Sequence, residues 1–152
     1  MNATLLTVVA AVLLSSGGDA APPPPNDLAN LQGEWVTVSI VDDGKAVFDE
    51  HNPPTTGPIA KVEYEGTKWM VKVADKTVAG GTFKLDASKS PKELDVMDES
   101  GVRNDKTKLA IYELDGDTYR YCIARAGQPR PTEFKSVGGS GHSLIVSRRE
   151  KR

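Results

Sequence analysis

The sequence predicts an all-β domain: an eight-stranded antiparallel up-and-down barrel preceded by a short N-terminal helical turn. Three observations carry this. Leu31-Gln32-Gly33-Glu34-Trp35 places a Gly-x-Trp at the mouth of the first strand-like run, just past a row of prolines. From Gly33 onward, period-two apolar runs bounded by turn residues replace helical spacing. The runs follow one another without an intervening helix, and such a sheet loses its exposed edges only by closing on itself.

Residues 1–20 stand apart from this pattern. Leu5-Leu6-Thr7-Val8-Val9-Ala10-Ala11-Val12-Leu13-Leu14 is an apolar run too short to span a bilayer as a stable helix. Small residues follow, then Asp19-Ala20-Ala21, so that Gly18 and Ala20 match the two pockets of a signal peptidase. No Lys or Arg precedes the run, and only the α-amino group supplies positive charge there. The expected organisation is a signal peptide over 1–20, a Pro-rich spacer over 21–27 and a barrel domain over 28–152. The product is expected to be exported, periplasmic or extracellular. No cysteine near the cleavage site offers a lipid anchor of the bacterial lipoprotein type.

Pro22 to Pro25 predict a short polyproline II spacer. Asn26-Asp27-Leu28-Ala29-Asn30-Leu31 then reads as one capped helical turn, with Asn26 or Asp27 as N-cap. The predicted strands cover 34–42, 59–65, 68–74, 77–85, 93–98, 107–114, 118–125 and 143–150. Glu65-Gly66-Thr67 and Leu114-Asp115-Gly116-Asp117 are tight hairpin turns, the second an Asp-Gly pair of the type I′ kind. Gly80-Gly81 inside the fourth strand predicts a bulge or sharp bend.

In an up-and-down barrel, alternate loops lie at the same end. The long connections 43–58, 99–106 and 126–142 therefore share one mouth with the short one around Asp75. The tight turns share the opposite end with the moderate loop 86–92. One end is expected to be plugged by Trp35, and the other to be dressed with long loops that meet a ligand or partner.

Bulk properties exclude more than they assign. Cleavage after Ala20 would leave 132 residues, enough for one domain that buries roughly two-thirds of its unfolded surface. Losing Asp19 with the leader takes the net charge from −2 to −1, which gives no electrostatic reason to expect nucleic acid. The basic tail Arg148-Arg149-Glu150-Lys151-Arg152 reads as a solvated chain end. Cys122 is the only cysteine, so no intramolecular disulfide forms, and its strand-like setting reads as a small buried hydrophobe.

The order of these segments resembles the lipocalin/fatty-acid-binding superfamily of barrels. There a helical turn leads into Gly-x-Trp, and a last-strand Arg packs on that Trp. Gly33, Trp35 and one of Arg148 or Arg149 match those positions. Strand parity groups Arg148 with Leu144 and Val146, whereas the resemblance favours Arg149, which is the expected plug residue. More closely, the chain resembles an uncharacterised secreted domain family expanded in Planctomycetes. The matching segments are Leu31-Gln32-Gly33-x-Trp35, Gly81-Thr82-Phe83-Lys84-Leu85-Asp86 and Ile111-Tyr112-Glu113-Leu114-Asp115-Gly116-Asp117-Thr118. Arg130-Pro131-Thr132-Glu133-Phe134-x-Ser136 and Gly139-Ser140-Gly141 match too. The resemblance spans 28–150 and implies a lipocalin-like barrel with no established activity; fold likeness alone assigns no function.

Candidate chemistry is sparse. His51 and His142 fall on long loops expected at one mouth, with Asp49 and Glu50 nearby to complete a metal or acid–base site. They lack any ligand spacing and read as solvated loop residues, and no metal or cofactor is expected. Ser140 or Ser143 beside His142 lacks the Gly-x-Ser-x-Gly elbow of a strained nucleophile. Gly138-Gly139-Ser140-Gly141 lacks the Lys and helix of a phosphate loop, and Asp115-Gly116-Asp117 lacks the rest of a calcium loop.

The aromatic residues carry the main functional expectation. Trp69 shares a face with Val71 and Val73, Phe83 with Leu85, and Tyr119 with Tyr121 and Ile123. Such faces either fill the barrel completely or line an apolar cup with tyrosine hydroxyls as orienting groups. Nine aromatic residues are few for a barrel that fills itself. The expected function is an exported, non-enzymatic domain binding a small apolar or amphipathic ligand at the long-loop mouth, through Trp69, Phe83, Tyr119 and Tyr121. A cell-envelope structural or interaction module with a packed interior is the alternative, followed by an enzyme using His51 and His142. Partners are a small apolar ligand or an envelope protein, with no nucleic acid and no membrane span after cleavage.

Overall fold

Asn26 begins the fold. Its side-chain oxygen accepts from the Ala29 amide at 3.2 Å and caps the helical turn α1 (Asp27–Leu31). The computed structural model describes residues 26–52, 60–99 and 107–151. The expected signal peptide lies outside the described residues, as do residues 21–25 of the expected spacer. Asn26 and Asp27 belong to the folded unit rather than to the spacer: the Asp27 carboxylate is buried, accepts from the Tyr112 hydroxyl at 2.8 Å and pairs with Lys92 at 2.7 Å.

Nine strands follow among the described residues: β1 (Gly33–Asp42), β2 (Lys45–Asp49), β3 (Lys61–Glu65), β4 (Lys68–Val73), β5 (Lys76–Asp86), β6 (Lys92–Asp98), β7 (Lys108–Asp115), β8 (Thr118–Ala124) and β9 (His142–Arg149). All neighbouring pairs are antiparallel. β1 and β3 through β9 form a closed eight-stranded, lipocalin-like barrel, sealed by β9 against β1 from Trp35↔Arg149 to Asp42↔Ser143.

β2 is additional. The segment 43–58, expected as a loop, turns back at Asp43-Gly44 and pairs Lys45–Asp49 with the outer half of β1. Both turn residues have positive φ (48° and 81°), the left-handed pair that a two-residue hairpin turn requires. The strand fits there because β3 covers only Gly33 to Val36 of β1 and leaves the rest of that edge unpaired.

A bulge in β1 between Thr37 and Ser39 changes which residues face inward. Trp35 and Thr37 are buried before it, and Ile40 and Asp42 line the interior after it. On β9 the inward set is Ile145, Ser147 and Arg149, so the parity that grouped Arg148 with the interior is not the one used. Arg148 points outward and pairs with Glu50.

The core is concentrated at the helix-bearing end, where Leu31, Trp35, Tyr64, Phe83, Leu94, Ala110, Tyr112 and Tyr119 form one buried cluster. Arg149 stacks 4.3 Å from the Trp35 ring. Gln32 clamps the β3–β4 turn, its side-chain oxygen accepting from the Gly66 amide and its nitrogen donating to the Gly66 carbonyl at 3.1 Å. That end is shut.

The connection between β8 and β9 dresses the mouth with its two ends only, at Ala126 and Gln128 and at Gly139 to Gly141, while its middle lies on the outside of the barrel. Arg130 donates to the Leu94 and Ala110 carbonyls at 3.0 and 2.6 Å and pairs with Asp95 at 2.6 Å. Arg120 on β8 stacks 4.4 Å from the Phe134 ring, and the Cys122 thiol donates to the Lys135 carbonyl at 3.3 Å. Cys122 and its cross-strand neighbour Ile111 are thereby buried on the outer face of the sheet. Burial pushes the Cys122 thiol pKa up, which makes it an unreactive hydrophobe at neutral pH.

Candidate functional site: an apolar cup inside the barrel

The end away from α1 holds a cavity of about 470 Å³. Its walls are side chains that the period-two pattern turns inward: Ile40, Val62, Trp69, Val71, Val96, Ile123 and Ile145. Tyr64, Phe83 and Tyr121 line it where it meets the buried aromatic cluster. Tyr64 meets Phe83 edge-on at 5.3 Å and Tyr119 edge-on at 5.8 Å, and Tyr119 lies 5.2 Å from Tyr121. These rings rest in turn on Trp35, 5.7 Å from Tyr119, so the floor of the cup is the top of the plug.

Among the described residues that line the cup, charge appears only at the rim. Asp42, Asp98, Lys108, Arg125 and Ser143 all sit at or just beyond strand ends on the open side. Lys108 pairs with Asp98 at 2.6 Å, and Ser143 donates to Asp42 at 2.6 Å. Arg125 reaches Asp42 only at 3.9 Å and its side chain is 61% exposed, which leaves it more available than Lys108 among the described residues of the rim. A polar cleft of about 630 Å³ shares Asp98, Lys108 and Arg125 with the cup and continues past Gln128 and Ser140. Beside it the Gly141 amide donates to Asp43 at 2.9 Å, and this bond holds the Asp43 carboxyl below its ordinary pKa.

Burial extends the neutral state of the interior tyrosines to higher pH. The Tyr121 phenol is pushed up to about 12, and Tyr64 and Tyr119 rise well above the ordinary value, chiefly by desolvation and then by their mutual proximity. The Tyr119 hydroxyl is wholly buried and has no hydrogen-bond partner of good geometry among the described residues. Its polar neighbours are the other two phenols.

Of the residues singled out from sequence, Trp69, Phe83 and Tyr121 line the cup. Tyr119 does not; it lies completely buried behind the floor, between Trp35 and Tyr121. Gly33 opens β1 with φ 103°, a conformation that favours glycine, and a Cβ there would stand in ordinary contact, 3.7 Å, with the Arg149 guanidinium. Gly80-Gly81 marks no bulge: the register slip lies between Val71 and Lys72, opposite Val78. Gly81 instead makes room for the Trp69 indole, whose N–H donates to the Met97 carbonyl at 3.3 Å across it.

The two histidines do not share the mouth. β2 carries His51 down the outside of the barrel, past the Ser39↔Asp49 pair, where it is almost fully exposed beside Glu50. His142 begins β9 at the rim, opposite Ala124. Among the described residues no group of three or more His, Cys, Asp or Glu side chains could hold a metal ion.

Sequence reasoning did not single out the rim residues Asp42, Asp98, Lys108 and Arg125. Their one signal was position, a charged residue at the open end of a predicted strand. Comparison with family models, with curated proteins and with solved structures finds no match to this chain.

Proposed function

We propose that this chain is an exported, non-enzymatic barrel that binds a small apolar or amphipathic molecule in the cup, taken in through the charged mouth. The observation that carries this reading is the 470 Å³ cavity, apolar along its walls and shut at the far end by the Trp35 plug. Its size falls within the roughly 300–1,000 Å³ of small-molecule sites. A barrel serving only as an envelope spacer needs no such space, since eight strands can fill themselves with their own side chains. Binding without catalysis agrees with the separation of His51 from His142. Export rests on the leader-like residues 1–20, and kinship with the secreted planctomycete family rests on the quoted motifs.

Native mass spectrometry of the protein purified from its own cell tests the reading directly, with a retained small molecule as the expected result. Titration with an environment-sensitive apolar dye supplies the second measurement. Trp69 lies in the cup wall and Trp35 in the plug, so the dye should quench emission that Trp69→Phe removes. No retained molecule together with no dye binding overturns the proposal.

A further inference from the structure

Three phenols meet at the closed end of the cup. Tyr64 and Tyr121 line it, and Tyr119, in ring contact with both, carries a buried hydroxyl without a well-formed hydrogen bond. A buried hydroxyl left in this way costs stability unless something else repays it. Among the described residues, everything between this floor and the rim is hydrocarbon or aromatic ring, and the cations Lys108 and Arg125 stand at the far, open end. The polarity of the cup is therefore reversed from that of a site for an anionic amphiphile with its head buried: the deep end offers neutral hydrogen-bonding groups and no positive charge.

Resting on the binding reading above, we propose that the ligand is a neutral apolar molecule bearing a carbonyl or hydroxyl oxygen, held oxygen-down against Tyr64 and Tyr121 with its hydrocarbon toward the mouth. A phenol can donate to a carbonyl and can both donate to and accept from a hydroxyl, so either oxygen is served. A carboxylate at the same depth would lose its hydration without a counter-ion, which disfavours it strongly. A pure hydrocarbon would fill the space and leave the phenols unmatched, the situation in which a polar site rejects its less polar analogue. A phenol is protonated at neutral pH, and burial raises the pKa of all three further, so they remain donors there.

The test uses the full folded chain and two probes of equal length, 2-nonanone and nonanoate, each displacing a bound apolar dye. The ketone should bind at least about tenfold more tightly, and its carbonyl stretch should move to lower frequency on binding. The Tyr64→Phe/Tyr121→Phe double variant keeps both rings. It should lose about five- to twentyfold in ketone affinity, the worth of one or two hydrogen bonds, and restore the carbonyl frequency. Tighter binding of nonanoate, abolished by Arg125→Ala, would place the head group at the rim and overturn the orientation while keeping the binding function. Equal affinity of the double variant for the ketone would overturn it as well. If the dye and both probes fail to bind, the binding reading itself falls and this inference falls with it.

Discussion

Arg149 lies 4.3 Å over the Trp35 ring while donating to the carbonyls of Gln32, at 2.8 Å, and Asn30. The Trp35 indole N–H donates to the Leu31 carbonyl at 2.8 Å. Two side chains from opposite ends of the chain thus satisfy the carbonyls that a short helix leaves open, and they do so over the ring that closes the barrel. Trp35→Ala should cost ~3–5 kcal/mol in urea unfolding, through the void left at the centre of the core. Arg149→Met, which keeps the stem but loses the stacked charge and both donors, should cost ~1–3 kcal/mol. A Trp35→Ala variant that melts with the parent would show that the plug does not hold this end.

Asp27 makes the second tie at the closed end. Its carboxylate is 5% exposed, accepts from the Tyr112 hydroxyl and faces Lys92, which is partly in water. Tyr112→Phe should cost ~0.5–1.5 kcal/mol by removing one hydrogen bond. Asp27→Ala should cost more, ~1–3 kcal/mol, because it strands a buried hydroxyl and loosens α1 over Trp35. A chain truncated to begin at Leu28 should show the same loss by thermal melting.

Most of the barrel was legible because one physical rule governs it: a strand with one buried face alternates, and eight such runs in a row close. The predicted strand 77–85 and the observed Lys76–Asp86 differ by one residue at each end. β2 escaped because its five residues pack on an edge rather than the core and show no inward alternation, so only Asp43-Gly44 announced it. The bulge in β1 has no turn residue to mark it, yet it decides which of Ile40 and Val41 lines the cup. On β9 both faces carry apolar residues, Ile145 within and Leu144 and Val146 outside, so parity alone pointed to the wrong arginine. The rim was invisible because Asp42, Asp98, Lys108 and Arg125 come together only when the sheet closes.

The buried phenols make the protein sensitive to alkali. All four tyrosines, Tyr64, Tyr112, Tyr119 and Tyr121, have folded-state pKa values raised above the ordinary 10.0 by burial. Above pH 10 the unfolded chain releases these protons while the folded chain retains them, so stability falls as pH rises. Below pH 10 both states are protonated and the contribution is constant. Each such tyrosine steepens the fall by about 1.4 kcal/mol per pH unit until its folded pKa is reached, about 12 for Tyr121. Phenolate absorbance should therefore appear together with unfolding between pH 10 and 12. Gradual ionisation of all four with the fold intact would contradict the burial of the cluster.

Cys122 reports on the external strap. Its thiol lies under residues that Arg130 anchors through two carbonyls and the Asp95 carboxylate. The native protein should react with a thiol reagent only through local opening, orders of magnitude more slowly than the unfolded chain. Arg130→Ala should raise the labelling rate about tenfold or more and increase amide exchange over 126–136, with little change in dye binding inside the barrel. Unchanged labelling would mean that Phe134 and its neighbours hold the strap without the arginine.

Gly81 ties the cup wall to the neighbouring strand. A Cβ there would collide with the Met97 carbonyl oxygen and stand 2.9 Å from the Trp69 indole nitrogen. The first obstacle is backbone of the paired strand, since Gly81 and Asp98 are register partners on β5 and β6, and it cannot rotate away. The second is the ring whose N–H bonds to that same carbonyl. Gly81→Ala should therefore separate the strands locally or tip Trp69 into the cup, at a cost of ~1–3 kcal/mol typical of forcing extra volume into a packed site. Because Trp69 lines the cavity, the same variant should weaken dye binding and shift Trp69 emission. Gly80→Ala is the matched control. Its Cβ would meet the Trp69 carbonyl at 3.2 Å, tight but short of collision, so it should cost less and leave the cup intact. Equal effects from the two substitutions would refute the idea that Gly81 is there to seat the indole.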